Sequence, residues 1–79
     1  MRLDKYLKVS RLIKRRTVAN EACDTEHVSV NGRAAKASYD VKVGDRIEVQ
    51  FGSRLLAVEV LQVADNVRKD DACAMYKEI

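Results

Sequence analysis

The sequence predicts an α+β fold: two N-terminal helices packed on a small antiparallel twisted sheet, with a short C-terminal helix closing the body. Three observations carry that prediction. Leu3, Tyr6 and Leu7 form an i, i+3, i+4 apolar stripe, the period of a helix resting on a core. At Val28 the period changes to two, with Val28 and Val30 on either side of Ser29. Turn dipeptides at Asn31-Gly32, Gly44-Asp45 and Gly52-Ser53 then punctuate further alternating segments.

Taken in chain order, the first helix is short, because Val9 and Ser10 are poorer helix formers and make an exit. A second helix is expected from about Arg15 to Asp24, where Val18, Ala19, Ala22 and Cys23 make a stripe able to pack on the first. Val28-Ser29-Val30 is the first strand, and Asn31-Gly32 suits a two-residue turn with positive φ at both positions. The return strand starts at Arg33. After Gly44-Asp45, the alternation of Ile47, Val49 and Phe51 marks another strand. Gly52-Ser53 turns it into a partner running from Arg54 to about Val63, with Leu56, Val58 and Val60 on one face. The sheet then has four or five strands. Ala72, Met75, Tyr76 and Ile79 stand at i, i+3, i+4, i+7, which predicts a terminal helix started by Asp70 or Asp71.

Composition bounds the function. Seventy-nine residues allow one domain, residues 1–79, with no room for an enzyme fold holding a large interior cleft. The chain has no proline and is 47% apolar, which favours folding over disorder. Its uncharged apolar runs are far too short to span a membrane, and no hydrophobic segment of the signal-peptide kind follows the charged N-terminus. A cytoplasmic protein is expected, with no membrane partner. Cys23 and Cys73 are too far apart to form a metal knuckle, and both sit among small apolar neighbours, as buried cysteines do. His27 is the single histidine and lacks a ligand set. No metal, cofactor or catalytic residue is expected.

Charge is more telling. The first sixteen residues hold seven of the fifteen Lys and Arg against one acid, Asp4, for a charge of +6; the other sixty-three residues carry −3. Such polarity suits a polyanion. Arg2, Lys5, Lys8, Arg11 and Lys14 recur every third residue, and Arg15 and Arg16 follow at once. A three-residue step advances about 300° around a helix, so in one straight helix these charges would spread over roughly 240° and share no face. Either the segment is a solvated basic arm, or the helix breaks and a second element returns the later bases beside the earlier ones; the apolar stripe of Leu3, Tyr6 and Leu7 favours the break. Lys14, Arg15 and Arg16 would then open the second helix, where the dipole disfavours cations. Exposed amides and three bases at one helix start make a phosphate site.

The run Arg2-Leu3-Asp4-Lys5-Tyr6-Leu7, the basic start at Arg15-Arg16, Val28-Ser29-Val30-Asn31-Gly32 and Val41 through Gly44-Asp45 together resemble the RNA-binding domain of the ribosomal protein S-four type. That resemblance covers residues 1 to about 51 as a domain core and leaves residues 52–79 as a C-terminal extension. It implies the fold known as the alpha-L RNA-binding motif. Lys8 to Thr17 and the tail near Met75-Tyr76 are more specifically similar to the stand-alone RqcP (YabO) family, related to heat-shock protein fifteen. The likeness implies a ribosome-associated quality control factor that is not an enzyme. It would bind ribosomal RNA and peptidyl-tRNA on obstructed large ribosomal subunits, supporting alanine tailing by the NFACT-family factor RqcH. A monomer is expected. The competing readings are a general ribosomal-RNA-binding or assembly module and, from a different class, a protein-interaction adaptor using the acidic sheet and terminal helix as its contact surface.

Two departures from the family pattern stand out. Asp24-Thr25-Glu26-His27 lacks the glycine usual before the first strand, so Glu26 or a neighbour must take positive φ or the helix must end differently. Val43 stands where proline is common.

The family motif places an arginine at Arg16, where it can fork two phosphate oxygens. Arg2, Lys5, Lys8, Arg11, Lys14 and Arg15 would add phosphate contacts, with Thr17 either a donor to phosphate or a cap. Asn31, Arg33 and Lys36 at the hairpin form a second candidate region. Asp4 admits two readings. It is a first-turn acid suited to the helix dipole and placed i, i+4 to Lys8, or it orients Arg2, Arg16 or another base or accepts a hydrogen bond from RNA.

Overall fold

A computed structural model of the chain describes residues 1–64 and 72–79. The stripe of Leu3, Tyr6 and Leu7 forms helix α1, Leu3–Val9, and all three side chains are buried. The break falls where the weak helix formers stand. Ser10 follows the last helical residue, Arg11 takes positive φ (63°), and the amides of Arg11 and Ile13 donate to the Lys8 and Leu7 carbonyls. Helix α2, Arg16–Asp24, then packs back on α1.

The end of α2 resolves the missing glycine. Glu26 adopts φ 62°, its amide donates to the Cys23 carbonyl, and the His27 amide donates to the Ala22 carbonyl. These are the two bonds of a Schellman stop, with a glutamate in the left-handed position that glycine ordinarily fills. Glu26→Gly is expected to raise unfolding stability by about 0.5–1 kcal/mol, read as a higher Tm, by removing that strain. A lower Tm would show that Glu26 makes a compensating contact.

Among the described residues five antiparallel strands follow: β1 Val28–Val30, β2 Arg33–Ala34, β3 Arg46–Phe51, β4 Arg54–Val60 and β5 Tyr76–Glu78, in the order β2-β1-β3-β4-β5. Asn31 and Gly32 close the first hairpin with φ of 54° and 83°, the positive pair that a two-residue turn requires. Directly paired residues share a face, and the pairs Val28↔Val49, Ile47↔Val58 and Val49↔Leu56 put valine, isoleucine and leucine on the side covered by the helices. Between sheet and helices lies one core, with Tyr6, Ala19, Cys23, Val60 and Met75 among its members.

Two expectations are corrected. The C-terminus is not a helix, since Ala72–Ala74 makes one 3₁₀ turn and Tyr76–Glu78 forms β5 on the edge of β4. The i, i+3 spacing of Ala72 and Met75, both buried, fits that tight turn as well as a helix. An isolated helix of two turns is marginal in water, whereas β5 bonds its backbone to β4, and Leu61 and Gln62 both donate to the Met75 carbonyl. Tyr76 is thus a strand residue. The start at Asp70 or Asp71 and the burial of Cys73 lie outside the described residues. Strand β4 ends at Val60, short of Val63, where the chain turns to meet Met75.

The second correction concerns the phase of α2. Ala19 and Cys23 are buried as expected, but Val18 is 47% exposed and Asn20 is partly buried. The face turned to α1 is Arg16, Ala19, Asn20 and Cys23, at i, i+3, i+4, i+7. That rotation carries two polar side chains toward Asp4 and builds the site.

Candidate nucleic-acid interface

Asp4 is the pivot. It lies in the first turn of α1 with its side chain only 3% exposed, an unusual burial for a carboxylate. Five donors converge on it. The Arg2 Nε–H and the Lys5 backbone amide donate to Oδ1 at 3.2 and 2.8 Å. Arg2 Nη2, Arg16 Nε and Asn20 Nδ2 donate to Oδ2 at 3.5, 3.5 and 3.3 Å. Burial alone pushes the Asp4 carboxyl up. The hydrogen bonds from Arg2, Asn20 and the Lys5 amide, with the charge on Arg16, outweigh it and hold Asp4 below the ordinary aspartate value. With both oxygens already engaged by protein donors, Asp4 has little capacity left to accept from RNA.

The arginines contrast with their anchor. Arg2 and Arg16 have side chains 52% and 51% exposed, so each guanidinium is tethered at its Nε side and faces solvent elsewhere. They come from different elements. Arg2 precedes α1, where its backbone bridges to Asp40 while Leu3 donates to the Tyr39 carbonyl and Val41 to the Met1 carbonyl. Arg16 opens α2. Arg2, Asp4, Arg16, Thr17 and Asn20 together line an open hollow of about 480 Å³. At this end of α2 the preceding residue, Arg15, makes no side-chain cap, so the first-turn amides are not claimed by a cap side chain.

The other proposed bases are distributed differently. Lys8, Arg11, Lys14 and Arg15 are exposed along the last turn of α1 and the connection to α2, and Lys5 is half-buried. None of them lines the Asp4 hollow. Arg33 and Lys36 line a separate open hollow of about 640 Å³ with Asn31 and Tyr39. Here Asn31 serves the fold: its Oδ1 accepts from the Arg46 amide at 3.0 Å and its Nδ2 donates to Asp45 at 3.2 Å. Tyr39 donates to the same aspartate at 3.1 Å. Tyr6 is fully buried and donates to the Met75 carbonyl at 2.8 Å, tying α1 to the C-terminal segment.

Asn20 was missed in the sequence, where a lone polar residue beside an apolar stripe carries no motif. Its i+4 spacing from Arg16 was the available signal, because it places both on one helical face.

Residues 1–47 match the S4 domain model. The whole chain is 57% identical over 79 residues to the RQC P-site tRNA stabilizing factor of Streptococcus pneumoniae, covering 90% of that protein. It is 55% identical over 76 residues to the protein of the same name in Bacillus subtilis, covering 96% of this chain and 88% of that one. In structure it is similar to trimeric Vibrio cholerae heat shock protein 15, with a TM-score of 0.93 at 30% identity, covering all of this chain and 81% of that one.

Proposed function

We propose, from the premise that this chain belongs to the S4 domain family and to the RQC P-site tRNA stabilizing factors within it, that its two-helix basic face grips ribosomal RNA and tRNA phosphates. The observation that carries this reading is the buried Asp4 holding Arg2 and Arg16 side by side while both guanidiniums stay half-exposed. A carboxylate so placed fixes two forks in advance, and less side-chain entropy is lost when phosphate arrives. Lys5, Lys8, Arg11, Lys14 and Arg15 extend the field around this clamp, Thr17 donates beside it, and Arg33 and Lys36 form a second contact region. In this reading residues 1–79 act as one RNA-binding domain and as a monomer.

The target is the obstructed large ribosomal subunit that still carries peptidyl-tRNA. There the protein holds the tRNA while RqcH adds the alanine tail. The chemistry lies with those partners, and this chain contributes binding and position.

Two measurements test the reading. With about six phosphate contacts, log affinity for large subunits is expected to fall against log salt with a slope of about −5, at 0.7–0.9 per contact. A slope near zero would remove the electrostatic basis. Retention on isolated large subunits is expected to depend on peptidyl-tRNA, and equal retention without it would leave only a general ribosomal-RNA-binding module.

A further inference from the structure

The hollow around Asp4 is rich in donors. Arg2, Arg16 and Thr17 all present N–H or O–H groups, as a phosphate requires, and the Asp4 oxygens are engaged inside the protein. Two side-chain acceptors remain in it, the Thr17 hydroxyl oxygen, which can also donate to a phosphate, and the Asn20 carbonyl, which can only accept. Asn20 lines the hollow and its Nδ2 donates to Asp4 Oδ2 at 3.3 Å. An ionised carboxylate only accepts, so the NH₂ end of the amide must face it and the carbonyl Oδ1 must point away. That Oδ1 has no hydrogen-bond partner among the described residues, and no buried side-chain oxygen or nitrogen among them lacks one, so Oδ1 is reached by solvent. The carboxylate that aims the two guanidiniums therefore also aims a neutral acceptor.

A phosphodiester itself offers no donor to such an oxygen. Within one nucleotide of a bound phosphate, the donor present in every RNA residue and absent from DNA is the ribose 2′-hydroxyl. Resting on the phosphate-clamp reading above, we infer that Asn20 Oδ1 accepts a hydrogen bond from a ribose 2′-hydroxyl next to the phosphate held by Arg2 and Arg16. The hollow is thus a ribose-phosphate site, and Asn20 makes it selective for RNA. Arginines alone give no such choice, since phosphates are the same in both polymers.

The test is a cycle between one side chain and one ligand atom. A short RNA duplex and the same duplex carrying 2′-fluoro groups both keep A-form geometry, but only the first has the donor. The native protein is expected to bind the RNA about fivefold more tightly, the worth of one net hydrogen bond. Asn20→Ala, a substitution that raises helix propensity, is expected to bind both duplexes equally, whatever affinity is lost from both together through the missing bond to Asp4. If Asn20→Ala keeps the fivefold preference, the inference fails while the clamp reading stands. If it weakens both duplexes by the same factor, Asn20 acts only by holding Asp4, and the inference fails again. If the native protein binds neither duplex, the underlying clamp reading fails with it.

Discussion

An Arg2→Ala/Arg16→Ala double variant is expected to lose about a hundredfold in affinity for large ribosomal subunits, measured by sedimentation or by fluorescence titration at fixed salt. A hydrogen-bonded contact to a charged group is worth about 1.5–3 kcal/mol, or roughly ten- to hundredfold each. The two arginines share Asp4, so their losses are not expected to add in full. The salt slope should fall by about two, since two phosphate contacts are gone. Stability should fall by only about 1 kcal/mol, because both ion pairs are half-exposed on the arginine side while Asp4 keeps Asn20 and the Lys5 amide. The removal of a cation from the start of α2 offsets part of that loss. A double variant within threefold of the native affinity would move the phosphate contacts elsewhere, to the exposed run from Lys8 to Arg15 or to Arg33 and Lys36.

What could be read from the sequence was local and periodic. The drift of the three-residue basic series favoured a break over a solvated arm, and α1 ends at Val9 with α2 opening at Arg16. The absence of glycine before β1 left either a positive φ at Glu26 or a neighbour, or a different helix end, and Glu26 takes the positive φ. Both inferences rest on backbone geometry, which a few neighbouring residues determine. The failures share the opposite property. Tyr76–Glu78 is a strand because of Val58–Val60, and the i, i+3 spacing before it carries no trace of that distant partner. The rotation of α2 is set by packing against α1, so Val18 and Asn20 exchange the places that apolarity alone assigns them. The site itself was half legible. Its charges were visible, and the alternative in which Asp4 orients Arg2 and Arg16 was open, but one of the five donors to the carboxylate, Asn20 Nδ2, came from a residue with no motif to mark it.

Asp4→Asn separates a clamp from a charged patch by the sign of its effect. The substitution takes the net charge from +3 to +4, since it removes one negative charge. A patch that attracts RNA through its summed field would therefore bind more tightly and show a steeper salt slope. A clamp would bind more weakly, because an amide offers one acceptor oxygen where the carboxylate offered two, and its NH₂ end opposes the guanidiniums. About a tenfold loss of affinity is expected, with little change in slope; a gain would sink the clamp. Stability should fall by about 2 kcal/mol at neutral pH, the scale of losing hydrogen bonds to a buried charge. The pH dependence supplies an internal control. Asp4 titrates below its unfolded value in the folded protein, so its contribution is fully present above about pH 4 and is lost as the pH falls through the depressed folded value. The stability gap between the native protein and Asp4→Asn should accordingly be constant from neutrality down to about pH 4 and shrink below it. A gap that persists undiminished at still lower pH would trace the loss to altered packing, and the grip of Asp4 on Arg2 and Arg16 would no longer explain the site.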